Sequence, residues 1–243
     1  MTYPTWAVSV VIPAQDESGW IGACIRSVLD AALVAGHPVD ITVVADRCTD
    51  DTVGEAARAL GGQGRIVEID VGSVGTGRRI GVARSLLVLE AAGHRPARSW
   101  LLATDADSVV PSDWIASHLR HADAGVHGVA GIVVVDSFAD HPPSVEPAFH
   151  RRYEIGRGGQ HAHVHGTNLG VRADAYHRAG GWHDVDTGED HDLWNRLERT
   201  GATLVSTVEA PVRTSGRGQG RAPGGFASLL RSLVSEEPDD IAR

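Results

Sequence analysis

Short apolar runs and longer amphipathic stretches alternate along the first 110 residues of the chain. Residues 7–12 (AVSVVI) form a β-branched run, the polar loop PAQDES follows, and apolar positions recur at helical spacing over about residues 20–33. The pattern predicts a strand, a loop and a helix. Residues 39–45 (VDITVVA) predict a second strand with DRCTDDT as its exit loop. Residues 49–52 carry hydroxyls and carboxylates suited to capping a helix that runs to about Leu60 and stops at Gly61 and Gly62. A third strand is expected over residues 65–69, and a glycine-rich turn (VGSVGTG) leads into a helix over residues 78–92. A fourth strand over residues 99–103 delivers the peptide Thr104-Asp105-Ala106-Asp107-Ser108.

The second half is less regular. Residues 111–121 read as a helix with proline at its start, 128–135 as a strand, and 136–159 as a His-, Pro-, Arg- and Gly-rich covering loop with a helix near 145–155. A candidate strand spans residues 163–172. A helix over 189–200 has acidic residues in its first turn and basic ones toward its end. A short strand at 203–207, a basic glycine-rich segment at 211–225 and a closing helix at 226–234 complete the chain. Strands that alternate with helices and are themselves almost continuously apolar imply an α/β fold with a mostly parallel sheet covered on both faces. Ligands of such sheets bind at the carboxyl ends of the strands. The loops PAQDES, DRCTDDT and TDADS therefore converge on one pocket.

Composition narrows the chemistry. With 243 residues and 42% hydrophobic content the chain is expected to fold as one soluble domain, and no run approaches the ~20 apolar residues of a membrane span. Residues 1–13 lack a basic segment followed by a long apolar one, so a cytoplasmic protein is expected. The net charge of -9 argues against general nucleic-acid binding. All 22 basic residues are arginine, which excludes Schiff-base and P-loop lysine chemistry. Cys24 and Cys48 lack a ligand spacing and suit a reduced compartment.

Asp105 and Asp107 at the mouth of a buried strand suit a hard divalent cation, Mg²⁺ or Mn²⁺, whose remaining ligands are substrate phosphates. Glycine in the GTG turn permits close backbone approach, and Arg78 suits a phosphate; alternatively Gly77 merely precedes a helix and Arg78 faces water. Asp16 and Glu17 are either a helix N-cap pair or ligand contacts. His161, His163 and His165 alternate, so on a strand they would share one face, as a metal constellation or as the lining of a cleft. Trp182 is a possible stacking surface for a ligand, whereas the helical spacing of Trp194 with Leu197 places it in the core.

The motifs VSVVIPAQDE, VVADRCTDDT, GTGRRIGVA, TDADS, HGTNLGVR and GEDHDLWNRL, in this order, resemble glycosyltransferase family 2 over most of the chain. The resemblance implies a GT-A-like, Rossmann-type α/β/α sandwich with an acceptor-side extension. It would be a single domain over 1–243, with a nucleotide-binding half to about residue 110 and an acceptor-side half beyond. It further implies a metal-dependent inverting transfer from a nucleoside-diphosphate sugar to a hydroxyl on an unknown small-molecule, lipid or glycan acceptor. Pro13, Ala14, Asp16, Glu17, Asp46, Gly77, Arg78 and Asp105 would contact the nucleotide, alongside Gly75. Asp107 would bind the metal with Asp105 in support. Asp190 is the first choice for catalytic base, Glu189 the second, with Asp192 positioning either. Thr167 and Asn168 would serve the acceptor or sugar. The segment 211–225 contains no histidine ligand such as many relatives add, so Arg213, Arg217 or Arg221 would meet the diphosphate. Arg47-Cys48 departs from the family's Gly-Ser-like turn and leaves the base undefined. Two other readings stay open: a sugar nucleotidyltransferase, disfavoured because PAQDES is acidic where a basic glycine-rich loop is needed, and a non-catalytic nucleotide-sugar-binding protein.

Overall fold

The computed structural model describes residues 6–220 and 224–235. One mixed eight-stranded sheet runs through the molecule in the order β3-β2-β1-β4-β7-β6-β8-β5. Its first half is parallel: β1 (Ala7–Ala14) lies between β2 (Val39–Asp46) and β4 (Ser99–Ala103), and β3 (Arg65–Ile69) extends the edge beyond β2. All eight residues of β1 are buried, which is why its sequence is an almost unbroken apolar run. Beyond β4 the direction reverses at β7 (Leu169–Arg172), antiparallel to both β4 and β6 (Gly128–Val135). β8 (Leu204–Thr214) then pairs parallel with β6, and the two-residue β5 (Ser108–Val109) closes the edge antiparallel to β8.

Side-chain alternation sends neighbouring residues of the central strands into two cores. Val8, Val10, Ile12, Trp100 and Leu102 face α1 (Ile21–Ala35), α2 (Thr52–Leu60) and α4 (Trp114–Asp123). Val11, Val44, Leu101 and Ala103 face α3 (Val74–Ala91), α6 (Ala173–Arg178) and α7 (Glu189–Arg199). Each large aliphatic side chain so buried contributes roughly 1.5–3 kcal/mol. The result is the expected three-layer sandwich. A third cluster, between α5 (Val145–Arg152) and α8 (Phe226–Ser232), forms an extension over the second half of the sheet.

Three segments differ from the sequence reading. Helix α3 starts at Val74 rather than residue 78, because the Ser73 hydroxyl accepts the Thr76 N–H and caps it. The segment 163–172 is extended only from Leu169, after a single 3-10 turn at Gly166–Asn168. Strand β8 runs past the expected 203–207 to Thr214, into the basic glycine-rich segment, interrupted by an irregular pairing with β6 between Gly131 and Val133. Ala210 has a left-handed φ of 49° at this irregularity.

Candidate active site

The loop after β4 is pinned from below. The Asp105 N–H donates to Thr167 Oγ1 at 3.1 Å, the Thr167 hydroxyl donates to Ser108 Oγ at 2.9 Å, and Ser108 donates to Thr214 Oγ1 at 2.9 Å. Between the two acids, Ala106 is buried in the core. The carboxylates therefore splay toward different partners.

Asp105 accepts from the Arg78 guanidinium at 2.5 Å, and the same guanidinium binds Glu189 at the start of α7. Arg78 is 3% exposed and lies 5.1 Å over the Trp182 ring. Burial by itself would lower its pKa, but the charges of Asp105, Glu189 and Asp190 hold it above the ordinary value.

Asp107 meets Arg217 at 3.0 Å, and Arg217 in turn makes a two-pronged contact with Glu17 at 2.6 and 2.7 Å. Burial, followed by the charge of Asp105, raises the Asp107 pKa to about 7; Arg217 opposes the shift and Glu17 adds to it. The pocket thus carries more carboxylate than its arginines balance. Among the described residues no group of three His, Cys, Asp or Glu side chains could hold a metal alone. A single hard carboxylate in a region of surplus negative charge nonetheless fits a divalent cation whose other ligands are phosphate oxygens.

Opposite this pair, α7 presents its acidic first turn. Asp190 accepts the Gly166 N–H at 3.0 Å and the His191 N–H at 2.7 Å, one on each carboxylate oxygen. Each oxygen keeps a lone pair for a further donor. Asp192 is committed elsewhere, to Arg196 at 2.7 Å and His183 at 3.3 Å, so it positions neither Asp190 nor Glu189 directly. His165 is held neutral, its pKa lowered to about 4 by burial against the opposing pull of Asp190.

Several expectations are corrected. Asn168 is fully buried: its Oδ1 accepts from Trp114 Nε1 at 2.8 Å and faces His118 Nε2 at 3.2 Å, while its amide donates to the carbonyls of Ile132 and Ala210 at 2.8 and 3.2 Å. It stitches the β6–β8 irregularity and has nothing left for an acceptor or sugar. Gly131 makes room for it, since a Cβ there would stand 2.2 Å from Asn168 Nδ2. Thr167 is buried in the loop support described above. Gly77 lies within α3 facing Val44 and Ile69, and Arg78 is buried between Asp105 and Glu189 rather than facing water. Arg213 is exposed on β8, one residue from the buried Thr214 and on the opposite face, away from the acidic loop.

Other side chains take roles that spacing does not reveal. Trp182 is buried beneath Arg78 and offers no face to a sugar. His161, His163 and His165 do not lie on a strand; with Tyr153 they form a stack in which Tyr153 and His163 are 4.0 Å apart at 5°. Asp46 accepts the N–H groups of Val71, Gly72 and Ser73, shaping the entry to α3. Asp16, with φ of 51°, accepts from Thr49 and Asp50, which lowers its pKa and joins the first loop to the second. Pro13 and Ala14 end β1 beside this junction, and the Ala14 carbonyl accepts from Cys48 Sγ at 3.5 Å. Arg221 lies outside the described residues. The pairing of Glu17 with Arg217, 200 positions apart, has no sequence signal beyond the residue types.

Solved structures of the same architecture accompany this geometry. TarS of S. aureus, in complex with UDP-GlcNAc, superposes with a TM-score of 0.64 at 12% identity over 94% of this chain and 65% of that one. The mannosyltransferase PcManGT of Pyrobaculum calidifontis, in complex with GDP-Man and Mn²⁺, gives 0.63 at 17% identity over 95% and 69%. The chain thus spans about two thirds of the length of these neighbours. No curated protein sequence matches it. No helix among the described residues is long and apolar enough to cross a membrane. The sequence profile described as "Glycosyltransferase like family 2" matches residues 4–229, and with the sheet order and the acidic loop in place this chain belongs to that glycosyltransferase family.

Proposed function

We propose that the chain is a metal-dependent inverting glycosyltransferase that moves a sugar from a nucleoside diphosphate to an acceptor hydroxyl. The observation that carries this reading is the convergence, at the carboxyl ends of β1 and β4, of Glu17, Asp105, Asp107 and Arg217, tied through Arg78 to the acidic start of α7. TarS with UDP-GlcNAc and PcManGT with GDP-Man and Mn²⁺ support a nucleotide-sugar donor.

Asp107 would hold Mg²⁺ or Mn²⁺, which when bound would neutralise charge on the departing diphosphate. Asp105 would support a ribose hydroxyl or a metal-bound water. Pro13, Ala14 and the Asp16–Asp46 loops would frame the base and ribose. Asp190 takes the proton of the acceptor hydroxyl as its oxygen attacks the anomeric carbon and the bond from that carbon to the diphosphate oxygen breaks. Asp190 is preferred over Glu189 because the Glu189 carboxylate is already committed to a buried arginine. The two backbone N–H groups on Asp190 orient its carboxylate without consuming its acceptor capacity.

Asp190→Asn is expected to reduce transfer at least ~100-fold, the scale of a lost general base. Binding of UDP or GDP with Mn²⁺, read as a thermal shift, should persist. Transfer at the wild-type rate by this variant would remove Asp190 from the chemistry. If neither nucleotide, nor TDP or CDP, stabilises the protein with metal present, the donor-site reading fails.

A further inference from the structure

We infer that Arg217 occupies the cation position at Asp107 until a nucleoside-diphosphate donor arrives, so that metal and donor enter together and metal binds poorly alone. The inference rests on the donor-site reading above and deepens it. The guanidinium bridges Glu17 and Asp107, and both of its terminal nitrogens are engaged, one on each Glu17 oxygen. An incoming divalent cation would seek the same Asp107 oxygens. Guanidinium and metal are then like charges competing for one carboxylate.

The loop that delivers Arg217 is fixed independently of those carboxylates. The Gly216 N–H donates to Asp136 Oδ1 at 2.8 Å, the Gly216 carbonyl lies 2.8 Å from His141 Nε2, and Arg231 donates to the Gly218 carbonyl at 2.6 Å. A Cβ on Gly216 would stand 1.9 Å from the Ser137 carbonyl oxygen, so the chain is seated closely against its neighbour. Relief of the competition therefore falls to the Arg217 side chain rather than to the loop. A diphosphate supplies what that movement needs: phosphate oxygens for the planar guanidinium and oxygen ligands for the metal. Each ligand then raises the affinity of the other by the same factor. A guanidinium that merely ties the C-terminal loop to the first loop would have no such effect on metal affinity.

The test is Mn²⁺ titration followed by the electron paramagnetic resonance signal of free Mn²⁺, with and without UDP or GDP, on the wild type, Arg217→Gln, Arg217→Lys and the double variant Asp107→Asn/Arg217→Gln. The wild type should bind Mn²⁺ weakly alone and at least ~10-fold more tightly with nucleotide, a coupling of about 1.4 kcal/mol. Arg217→Gln should bind Mn²⁺ at least ~10-fold more tightly than wild type without nucleotide and gain little from it, whereas Arg217→Lys, which keeps the competing charge, stays near wild type. The double variant should lose the gained affinity, placing it at Asp107. Equal weak Mn²⁺ binding by wild type and Arg217→Gln, with nucleotide still tightening both, overturns the inference and leaves the donor site standing. The same enhancement in Arg217→Lys as in Arg217→Gln also overturns it, because charge would not be the cause. Absence of Mn²⁺ binding in every protein and condition overturns both the inference and the donor-site reading.

Discussion

Replacing Asp107 by asparagine should make the protein more stable at neutral pH, by an amount that depends on pH in a defined way. The Asp107 carboxyl titrates at about 7 in the fold against an ordinary 3.8, chiefly because it is buried and next because Asp105 lies beside it. Between those values the native state keeps a proton that the unfolded chain has lost. The native state is therefore favoured below about pH 4, and this contribution is lost progressively as pH rises through 7. At about 1.36 kcal/mol per pH unit the full loss is about 4 kcal/mol. The Asp107 side chain is only 14% exposed, so solvent screening reduces the figure modestly. The asparagine of the Asp107→Asn variant cannot ionise, and Glu17 continues to hold Arg217 through both carboxylate oxygens. Urea unfolding of the two proteins from about pH 4.5 to about pH 8.5 in EDTA should give stabilities that nearly coincide at the acid end and diverge until about pH 7.5, with the variant higher. A difference that does not change with pH, or a wild type that gains on the variant as pH rises, would refute the electrostatic account of this pocket.

Other perturbations follow from the same contacts. Arg78→Met removes the cation shared by Asp105 and Glu189 and should cost about 3–5 kcal/mol, the scale for breaking a buried pair, in chemical denaturation. Arg78→Lys should recover part of that stability, and its transfer defect should appear in kcat more than in the donor KM if Arg78 aligns α7 with the acidic loop. Asn168→Ala leaves the Trp114 N–H and the carbonyls of Ile132 and Ala210 without their partner, with an expected cost of about 3 kcal/mol. Calorimetric binding of nucleotide by the folded Asn168→Ala protein should be unchanged; a selective loss of donor or acceptor affinity without loss of stability would return Asn168 to the site.

What the sequence makes legible is what burial on both faces makes contiguous. Strands β4 and β6 have the bounds that their apolar runs predict, because residues of such strands meet a core on one side or the other. The start of α3 is hidden because Gly75 and Gly77 carry turn propensity, while in the fold both are buried and the Ser73 cap settles the boundary. The site divides in the same manner. The acidic loop, Glu17, Arg217 and the first turn of α7 stand out by residue type and place along the chain. Asn168 stands out equally, yet its polarity is spent on an irregular strand pairing that leaves no periodic trace. Alternation is informative for His161, His163 and His165: the segment is not paired as a strand, yet the rings share one side, stacked on one another at 5.7 and 6.1 Å and on Tyr153.

The acidic pair reads in the sequence as one motif and acts in the fold as the meeting point of two charge relays. Ala106 anchors the turn in the core, and the residues on either side are thereby committed in different directions. Asp105 is linked through Arg78 to Glu189, and so to the helix that carries the candidate base. Asp107 is linked through Arg217 to Glu17, and so to the first loop and the C-terminal segment. Under the proposed donor-site reading, a change of charge at this turn would reach both relays, because Asp105 and Asp107 are separated only by Ala106. The spacing of one residue between the carboxylates matters for that reason: it keeps the two within one turn, and the buried alanine keeps them from sharing one partner. A larger residue at position 106 would lift the turn from the core and disturb both pairings at once, whereas a change at either arginine should first disturb its own.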